Sequence, residues 1–294
     1  MFFRALAASI LGLIAILLYL YQPFLREQVS FLSSLLPINS APGNKHTDAF
    51  NPHYHLGGNG PWVPRLSGPS YSSQRLTINC KIDQAHLLSR HAERYPTSNA
   101  GARHLAFLSK LSSPDVKLNE SLAFLRNWTY FTDPVNPSFE DLTESGPYAG
   151  TEQAKKTGEL LRQRYNHLIR NDTTTNFWTC SSSRDVETAR WFAKGFFGPD
   201  WDAGTTANLQ VIPETAERGA DTLTPGDTCL NYINEKTSGH DQGYAHLTAW
   251  QSIFTAPIAA RLRLYASGIA FTPLEIYSMM ELCGFEILAR GASP

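Results

Sequence analysis

The sequence predicts an α/β fold with a parallel sheet, because short apolar strands alternate with amphipathic helices. Residues 85–89 form a first apolar run, which leads through an arginine-rich loop into a helix. Residues 177–180 form a second such run, again followed by a loop and a helix, and residues 209–213 supply a third. Sites in such sheets lie beyond the carboxyl ends of the strands, and the first two strands both deliver arginines there.

Apolar side chains recur every three to four residues in the segments between and after these strands. The predicted helices cover residues 98–112, 151–169, 185–196 and most of 248–280. Thr97 or Ser98 can cap the first of these helices, and Asp185 can cap the third.

The composition is that of a globular protein. Of 294 residues, 42% are hydrophobic and 17% are charged, and the net charge is −1. These values exclude a disordered chain and a charge-laced coiled coil, and they do not favour a nucleic-acid partner. Four cysteines without a CxxC pair exclude a disulfide miniprotein and a cysteine-rich zinc module. We expect neither a cofactor nor a metal.

The amino-terminal residues predict a membrane segment. Residues 5–21 form an uncharged, mostly apolar run that Arg4 precedes and Arg26 follows. The run exceeds the apolar core of a cleaved signal peptide and lacks small residues at a cleavage position. Residues 1–27 are therefore predicted to be a cytoplasmic tip and an uncleaved signal anchor, with a cleaved signal as the alternative. Both alternatives place the rest of the chain in the secretory pathway. An uncleaved anchor would hold it in the membrane, and a cleaved signal would lead to secretion.

The exported part divides into a stalk and a domain. Residues 28–79 are rich in Pro, Gly, Ser, Asn and His and predict a stalk with an irregular entry segment, so the domain covers residues 80–294. N-x-S/T sequons predict glycosylation at Asn119, Asn127 and Asn171.

Several arginines around one histidine predict the chemistry. Residues 90–96 read RHAERYP, and an RHxxRxP pattern arises by chance in a chain of this length on the order of once in a thousand. Guanidinium groups match phosphate oxygens and keep their charge, so Arg90, Arg94 and Arg184 are candidate phosphate ligands. Neighbouring cations lower the pKa of His91, which leaves this side chain a lone pair for nucleophilic attack even in acid.

This segment resembles the RHGxRxP signature of the histidine acid phosphatases, most closely of the fungal acid phosphatase and phytase branch. The resemblance covers about residues 50–294. Further matching motifs are residues 54–59 with 61–62, Leu142-Thr143 with Gly150 and Gln153, Ser183-Arg184, residues 225–229 and residues 281–283.

The resemblance implies a phosphoglycerate-mutase-like parallel sheet with flanking helices and a smaller α-helical cap domain. It also implies that His91 is the nucleophile, which forms a phosphohistidine, and that Arg90, Arg94 and Arg184 bind the phosphate. Small phosphate monoesters are then the substrates.

The family's general acid belongs to a His-Asp pair after a late apolar strand. The pair in this chain, His240-Asp241, lies in a polar segment before Cys283, so we interpret it as a solvated loop. The chain is thus expected to be truncated at its carboxyl end, with an incomplete sheet and no general acid. The family's disulfide partners of Cys80, Cys229 and Cys283 are expected to be missing as well.

These features predict an acid phosphomonoesterase. Ala92 replaces the usual Gly of the signature, and Glu93 beside the nucleophile is expected to raise the pKa of His91 somewhat and to disfavour very anionic substrates. This expected effect of Glu93 favours a phosphatase with broad specificity for phosphate monoesters. The alternatives are a phytase, and a phosphate-binding product that lacks catalysis because its general acid is missing. A mutase of the phosphoglycerate mutase type is less favoured, since those enzymes are typically cytosolic.

Overall fold

The computed structural model describes residues 56–60, 81–170, 172–204, 206–215, 223–240 and 242–293, all within the unit formed by residues 51–294. The helices are α1 (Ser98–Leu111), α2 (Gly150–Tyr165), α3 (Ser183–Phe197), α4 (Pro225–Thr228), α5 (Leu230–Asn234), α6 (Gln242–Tyr265) and α7 (Pro273–Arg290). The strands are β1 (Lys117–Leu118), β2 (Thr175–Cys180), β3 (Ala207–Ile212) and β4 (Ala266–Ser267). Short 3-10 helices cover Gly57–Asn59, Glu120–Arg126 and Asn166–Leu168.

Strands β2 and β3 form a parallel pair, as the alternation of strands and helices predicts. Their register runs from Thr175 opposite Ala207 to Cys180 opposite Ile212. Ala193 of α3 is fully buried in one cluster with Trp201 and Ala207. The apolar face of α3 therefore covers this sheet, and the predicted strands at 177–180 and 209–213 are confirmed.

Helices α2 and α3 pack backbone against backbone. A Cβ added at Gly158 would overlap the carbonyl oxygen of Phe192, and one added at Gly195 would overlap the carbonyl oxygen of Lys155. The predicted helix at 151–169 is confirmed as α2, which ends at Tyr165 in a 3-10 turn. The two glycines let α2 approach α3 closely, and this approach fixes where the first turn of α3 lies.

Helices α1 and α7 build a second packed region. The hydroxyl of Thr97 accepts a hydrogen bond from the N–H of Ala100 at 3.3 Å, which confirms the predicted cap of α1. Helix α7 begins with a capping box between Thr272 and Glu275. The core cluster of this region contains Phe107, Tyr130 and Leu282.

The predicted strand at residues 85–89 is wrong. The described residues before Arg94 form no strand, and the side chains of Leu87 and Leu88 are 57% and 82% exposed. A strand exists only as part of a hydrogen-bonded ladder, and no described strand pairs with this segment. The apolar composition of residues 85–89 does not reveal whether another strand lies beside them, so the sequence alone could not exclude this error.

Two boundaries differ from the predicted ones. Helix α3 begins at Ser183 after Ser182 as N-cap, so Arg184 lies in its first turn and Asp185 is not the cap. The long helical region at 248–280 divides into α6 and α7. Strand β4, which pairs antiparallel with β1, and Gly268 with φ 76° separate the two helices.

Several predicted features lie outside the described residues. They are the apolar segment 5–21, the stalk apart from residues 56–60, Cys80, Asn171 and Asp241. Among the helices that the structure does describe, none has the length and apolar character needed to cross a membrane.

Candidate active site

The RHAERYP loop at residues 90–96 is held by a second segment that runs antiparallel to it. The N–H of Tyr95 donates to the carbonyl of Asp141 at 2.9 Å, and the N–H of Thr143 donates to the carbonyl of Glu93 at 3.0 Å. Gly150, at the start of α2, lies so close that a Cβ there would overlap the carbonyl oxygen of Glu93. The backbone of the loop is therefore fixed on both sides.

The two ring nitrogens of His91 have different roles. Nδ1 lies 2.8 Å from the carbonyl oxygen of Ala92, which can only accept, so Nδ1 carries the proton. Nε2 lies 3.2 Å from Nε of Arg94, which can only donate, so Nε2 carries the lone pair. Both contacts select the same neutral tautomer, and its lone pair faces an arginine.

The surroundings of His91 favour the neutral ring. Burial, and then the charges of Arg90 and Arg94, lower the pKa of His91 to about 4 against a hydrogen bond with the Ala92 carbonyl that raises it. The carboxylate that raises this pKa is that of Asp185, where the sequence suggested Glu93. The predicted effect of the neighbouring cations on the pKa is confirmed.

Two of the three predicted arginines, Arg90 and Arg94, act on this histidine, and the third, Arg184, acts on Arg94. Burial, followed by the charges of Arg184 and Arg90, lowers the pKa of Arg94 to about 10, which indicates that the three cations influence one another. Arg94 also donates from Nη1 to the carbonyl of Tyr95 at 2.7 Å. Arg90 is exposed and donates to the carbonyl of Gly58, which ties the entry segment to the loop. The site thus concentrates positive charge beside one neutral histidine ring.

Two residues at the site carry no signal in the sequence. Glu140 pairs with Arg184 at 2.8 Å between Oε2 and Nη1. The hydroxyl of Thr188, one turn after Arg184 in α3, accepts from the N–H of Ala92 at 3.0 Å and donates to the carbonyl of Arg184 at 2.7 Å. Thr188 therefore joins the loop to α3, although 96 residues separate it from Ala92.

Replacing Thr188 with valine is expected to lower the free energy of unfolding by about 1–2 kcal/mol, because the N–H of Ala92 loses its acceptor inside a packed region. Thr188→Ser keeps the hydroxyl and should retain most of the stability. Urea unfolding measures both variants. As a matched control, Thr157→Val removes a hydroxyl that bonds only within α2 and lies exposed. Equal stability of Thr188→Val and the wild type would contradict this assignment.

The remaining predicted residues lie apart from this loop in sequence. Asn119 and Asn127 are exposed, as glycosylation would require. His240 is exposed, and its ring packs edge-on against that of Tyr232 with 5.7 Å between the ring centroids. Cys180 is a buried thiol, and Cys229 and Cys283 are free thiols. In the described ranges, no three His, Cys, Asp or Glu side chains gather as metal ligands would.

Comparison with known proteins identifies the family of this chain and several relatives. Residues 81–294 match the model of the histidine phosphatase superfamily (branch 2). The chain is 31% identical over 258 residues to phytase PHO112 of Candida albicans, covering 87% of this chain and 54% of that protein. It is 32% identical over 267 residues to acid phosphatase PHO1 of Komagataella pastoris, covering 89% and 54%.

A solved structure shows the same fold. The crystal structure of the phytase from D. castellii superposes with a TM-score of 0.72 at 28% identity, and the match covers 89% of this chain and 55% of that one. The chain spans about half the length of the curated relatives it matches.

Proposed function

The chain belongs to branch 2 of the histidine phosphatase superfamily, and from this premise we propose that it hydrolyses small phosphate monoesters through a phosphohistidine at His91. One observation carries the proposal: the neutral Nε2 of His91 faces Arg94 in a cluster of three arginines. The phosphatases and phytases among its relatives support this reaction class.

In the proposed first step, the Nε–H of Arg94 transfers its hydrogen bond from Nε2 of His91 to a phosphate oxygen. The Nε2 lone pair freed in this way attacks phosphorus, and the bond from phosphorus to the ester oxygen breaks. Charge spreads over the three equatorial oxygens, and the guanidinium groups of Arg90, Arg94 and Arg184 stabilise it. The Nδ1–H bond to the Ala92 carbonyl keeps the ring oriented and stabilises the positive charge that the ring gains. Water then attacks the phosphohistidine, releasing inorganic phosphate and the neutral ring.

The leaving oxygen must also receive a proton unless its own pKa is low. An aryl ester such as p-nitrophenyl phosphate leaves as a phenolate without that help, whereas glycerol phosphate leaves as a strongly basic alkoxide. This difference separates an enzyme with a general acid from the second candidate, a phosphate-binding product that lacks the acid and therefore does not turn over alkyl esters.

The test is to trap the phosphoenzyme. The full chain is mixed with a ³²P-labelled aryl or alkyl phosphate and quenched in alkaline detergent, which preserves the acid-labile N–P bond. We expect the label on wild type and none on His91→Ala. Label from both esters supports the phosphatase, and label from the aryl ester alone supports a chain that lacks an acid. No label from either ester, or label on His91→Ala, would refute the proposed nucleophile.

We expect phosphorylation to persist well into the acid range. Because the pKa of His91 is lowered from 6.5 to about 4, the ring stays neutral above pH 4 and becomes cationic below it. The labelling rate should therefore fall about tenfold per pH unit below pH 4 and depend little on His91 between pH 5 and 6. Rapid-quench labelling from pH 3 to 7 measures this profile. A midpoint near 6.5 would contradict it.

We propose that the enzyme accepts many phosphate monoesters and disfavours phytate. The reason is that Glu93, two residues after the proposed nucleophile, carries a carboxylate that repels very anionic substrates. A comparison of hydrolysis rates for p-nitrophenyl phosphate and phytate tests this. We also propose export, with an anchor at residues 5–21 and glycans on Asn119, Asn127 and Asn171. A glycosidase-sensitive increase in mass on expression in a eukaryotic host tests the glycans.

A further inference from the structure

Glu140 connects the arginine cluster to the start of helix α1. Its Oε2 lies 2.8 Å from Nη1 of Arg184. Its Oε1 accepts from the N–H and the hydroxyl of Ser98, at 3.1 and 3.3 Å. Its own N–H donates to the carbonyl of Pro96 at 2.9 Å. One residue therefore links three elements: its side chain joins α1 to α3, and its backbone N–H joins both to the RHAERYP loop.

The backbone at Glu140 takes a conformation that side chains rarely adopt, with φ 69°. Glycine would accept this φ without strain, whereas glutamate does not. The bond to Pro96 and the neighbouring bond from Tyr95 to Asp141 hold the segment in place. The backbone that carries the carboxylate is consequently held in one position relative to the loop.

We propose that Glu140 is a positioning residue, which orients the guanidinium of Arg184 toward the phosphate. Nη1 of Arg184 is held by Glu140, and Nε lies 3.6 Å from Oδ2 of Asp185. Among the described hydrogen bonds of the Arg184 guanidinium, Nη1 alone has a partner. Nε is buried without one, so the outer nitrogen Nη2 is left for the ligand. The proposal rests on the proposed function, since it assumes that the cluster binds phosphate.

The charges at the site agree with this role. Arg90 and Arg184 both lower the pKa of Arg94, whereas Glu140 raises it, so the carboxylate offsets the repulsion among the cations. The backbone N–H of Ser98 is the main cause that lowers the pKa of Glu140, and burial works against it. Glu140 therefore stays ionised in mild acid, where an acid phosphatase acts.

Glu140→Gln is an informative substitution because a carboxylate and an amide differ in their hydrogen-bond acceptors. Glu140 uses one oxygen for Arg184 and the other for Ser98, whereas an amide has a single acceptor oxygen. Glu140→Gln can thus satisfy one of these two partners and presents N–H groups to the other. The substitution keeps the size of the side chain and removes its charge, and it leaves either the guanidinium of Arg184 or the N–H of Ser98 without an acceptor.

The experiment measures binding of inorganic phosphate to the full chain at pH 5 by calorimetry, which requires no turnover. We expect Glu140→Gln to weaken binding at least tenfold in the wild-type background. In an Arg184→Ala background the same substitution should change affinity less than twofold, because Glu140 acts through Arg184. Unchanged or tighter binding by Glu140→Gln, or an equal loss in both backgrounds, would overturn the proposal.

Two further variants keep the outcome interpretable. Glu144→Gln makes the same charge change at an exposed position of the same segment and should leave phosphate affinity within twofold. Glu140→Gly relieves the positive φ and should fold, yet lose at least tenfold in affinity. If wild type binds no phosphate, the proposed function itself fails. If wild type binds and both Glu140 variants bind equally well, only the role of Glu140 fails.

Discussion

Replacing Arg94 with alanine is expected to slow phosphorylation of His91 by about 10²–10³-fold, the range found when one preorganised donor to a reacting anion is removed. Arg94 contacts the proposed nucleophile directly, at 3.2 Å from its Nε to Nε2 of His91. It also belongs to the cations that lower the pKa of His91. The substitution should thus have a second effect: the acid limb of the pH profile moves above pH 4.

Two matched variants separate these effects. Arg94→Lys keeps a positive charge but loses the planar fork, so we expect a slower rate with an acid limb close to that of wild type. Arg263→Ala removes an exposed arginine of α6 and should leave the rate and profile unchanged. Rapid-quench labelling over the pH range measures both quantities. A rate for Arg94→Ala within threefold of wild type would show that Arg94 does not contact the transferring phosphoryl group.

Most of the site that the sequence predicts is encoded within one short segment, and Arg184, which follows the second predicted strand, is the exception. His91 and Arg94 lie three residues apart in a motif whose residue types define the chemistry, and their contact is observed. Glu140 and Thr188 bond to the same loop at Pro96 and Ala92, which lie 44 and 96 residues before them in the sequence. No spacing pattern encodes contacts of that kind, because only the packing of α1, α2 and α3 brings the segments together.

The fold shows the same division between local and distant information. Strands β2 and β3 were predictable because both are apolar and each has the other as a ladder partner. Residues 85–89 have an equally apolar sequence but no ladder partner among the described strands, and they lie exposed. The start of α3 could not be fixed either, since Ser182, Ser183 and Asp185 are all acceptable N-caps and differ by one turn or less.

Arg184 and Thr188 lie on α3, which packs against α2 through two glycines. Substitution of one of these glycines is expected to have the largest effect on the free energy of unfolding. Gly195→Ala in α3 would gain up to about 1 kcal/mol from helix propensity. The new Cβ, however, overlaps the carbonyl oxygen of Lys155 and lies 3.0 Å from the N of Glu159. Both are backbone atoms of a helix, so no rotamer change relieves the overlap and the helices must separate. We expect a net loss of about 2–3 kcal/mol in the free energy of unfolding.

A second helical glycine provides the opposite case and isolates the cause. Gly243 in α6 has no atom within 4 Å of an added Cβ, so Gly243→Ala should change stability by less than about 1 kcal/mol, in the stabilising direction. Urea unfolding of both variants compares the same chemical change in open space and in a closed contact. Because α3 carries Arg184, Gly195→Ala should also weaken phosphate binding, whereas Gly243→Ala should not. If both variants unfold like wild type, then α2 and α3 do not make the close backbone contact that positions this side of the site.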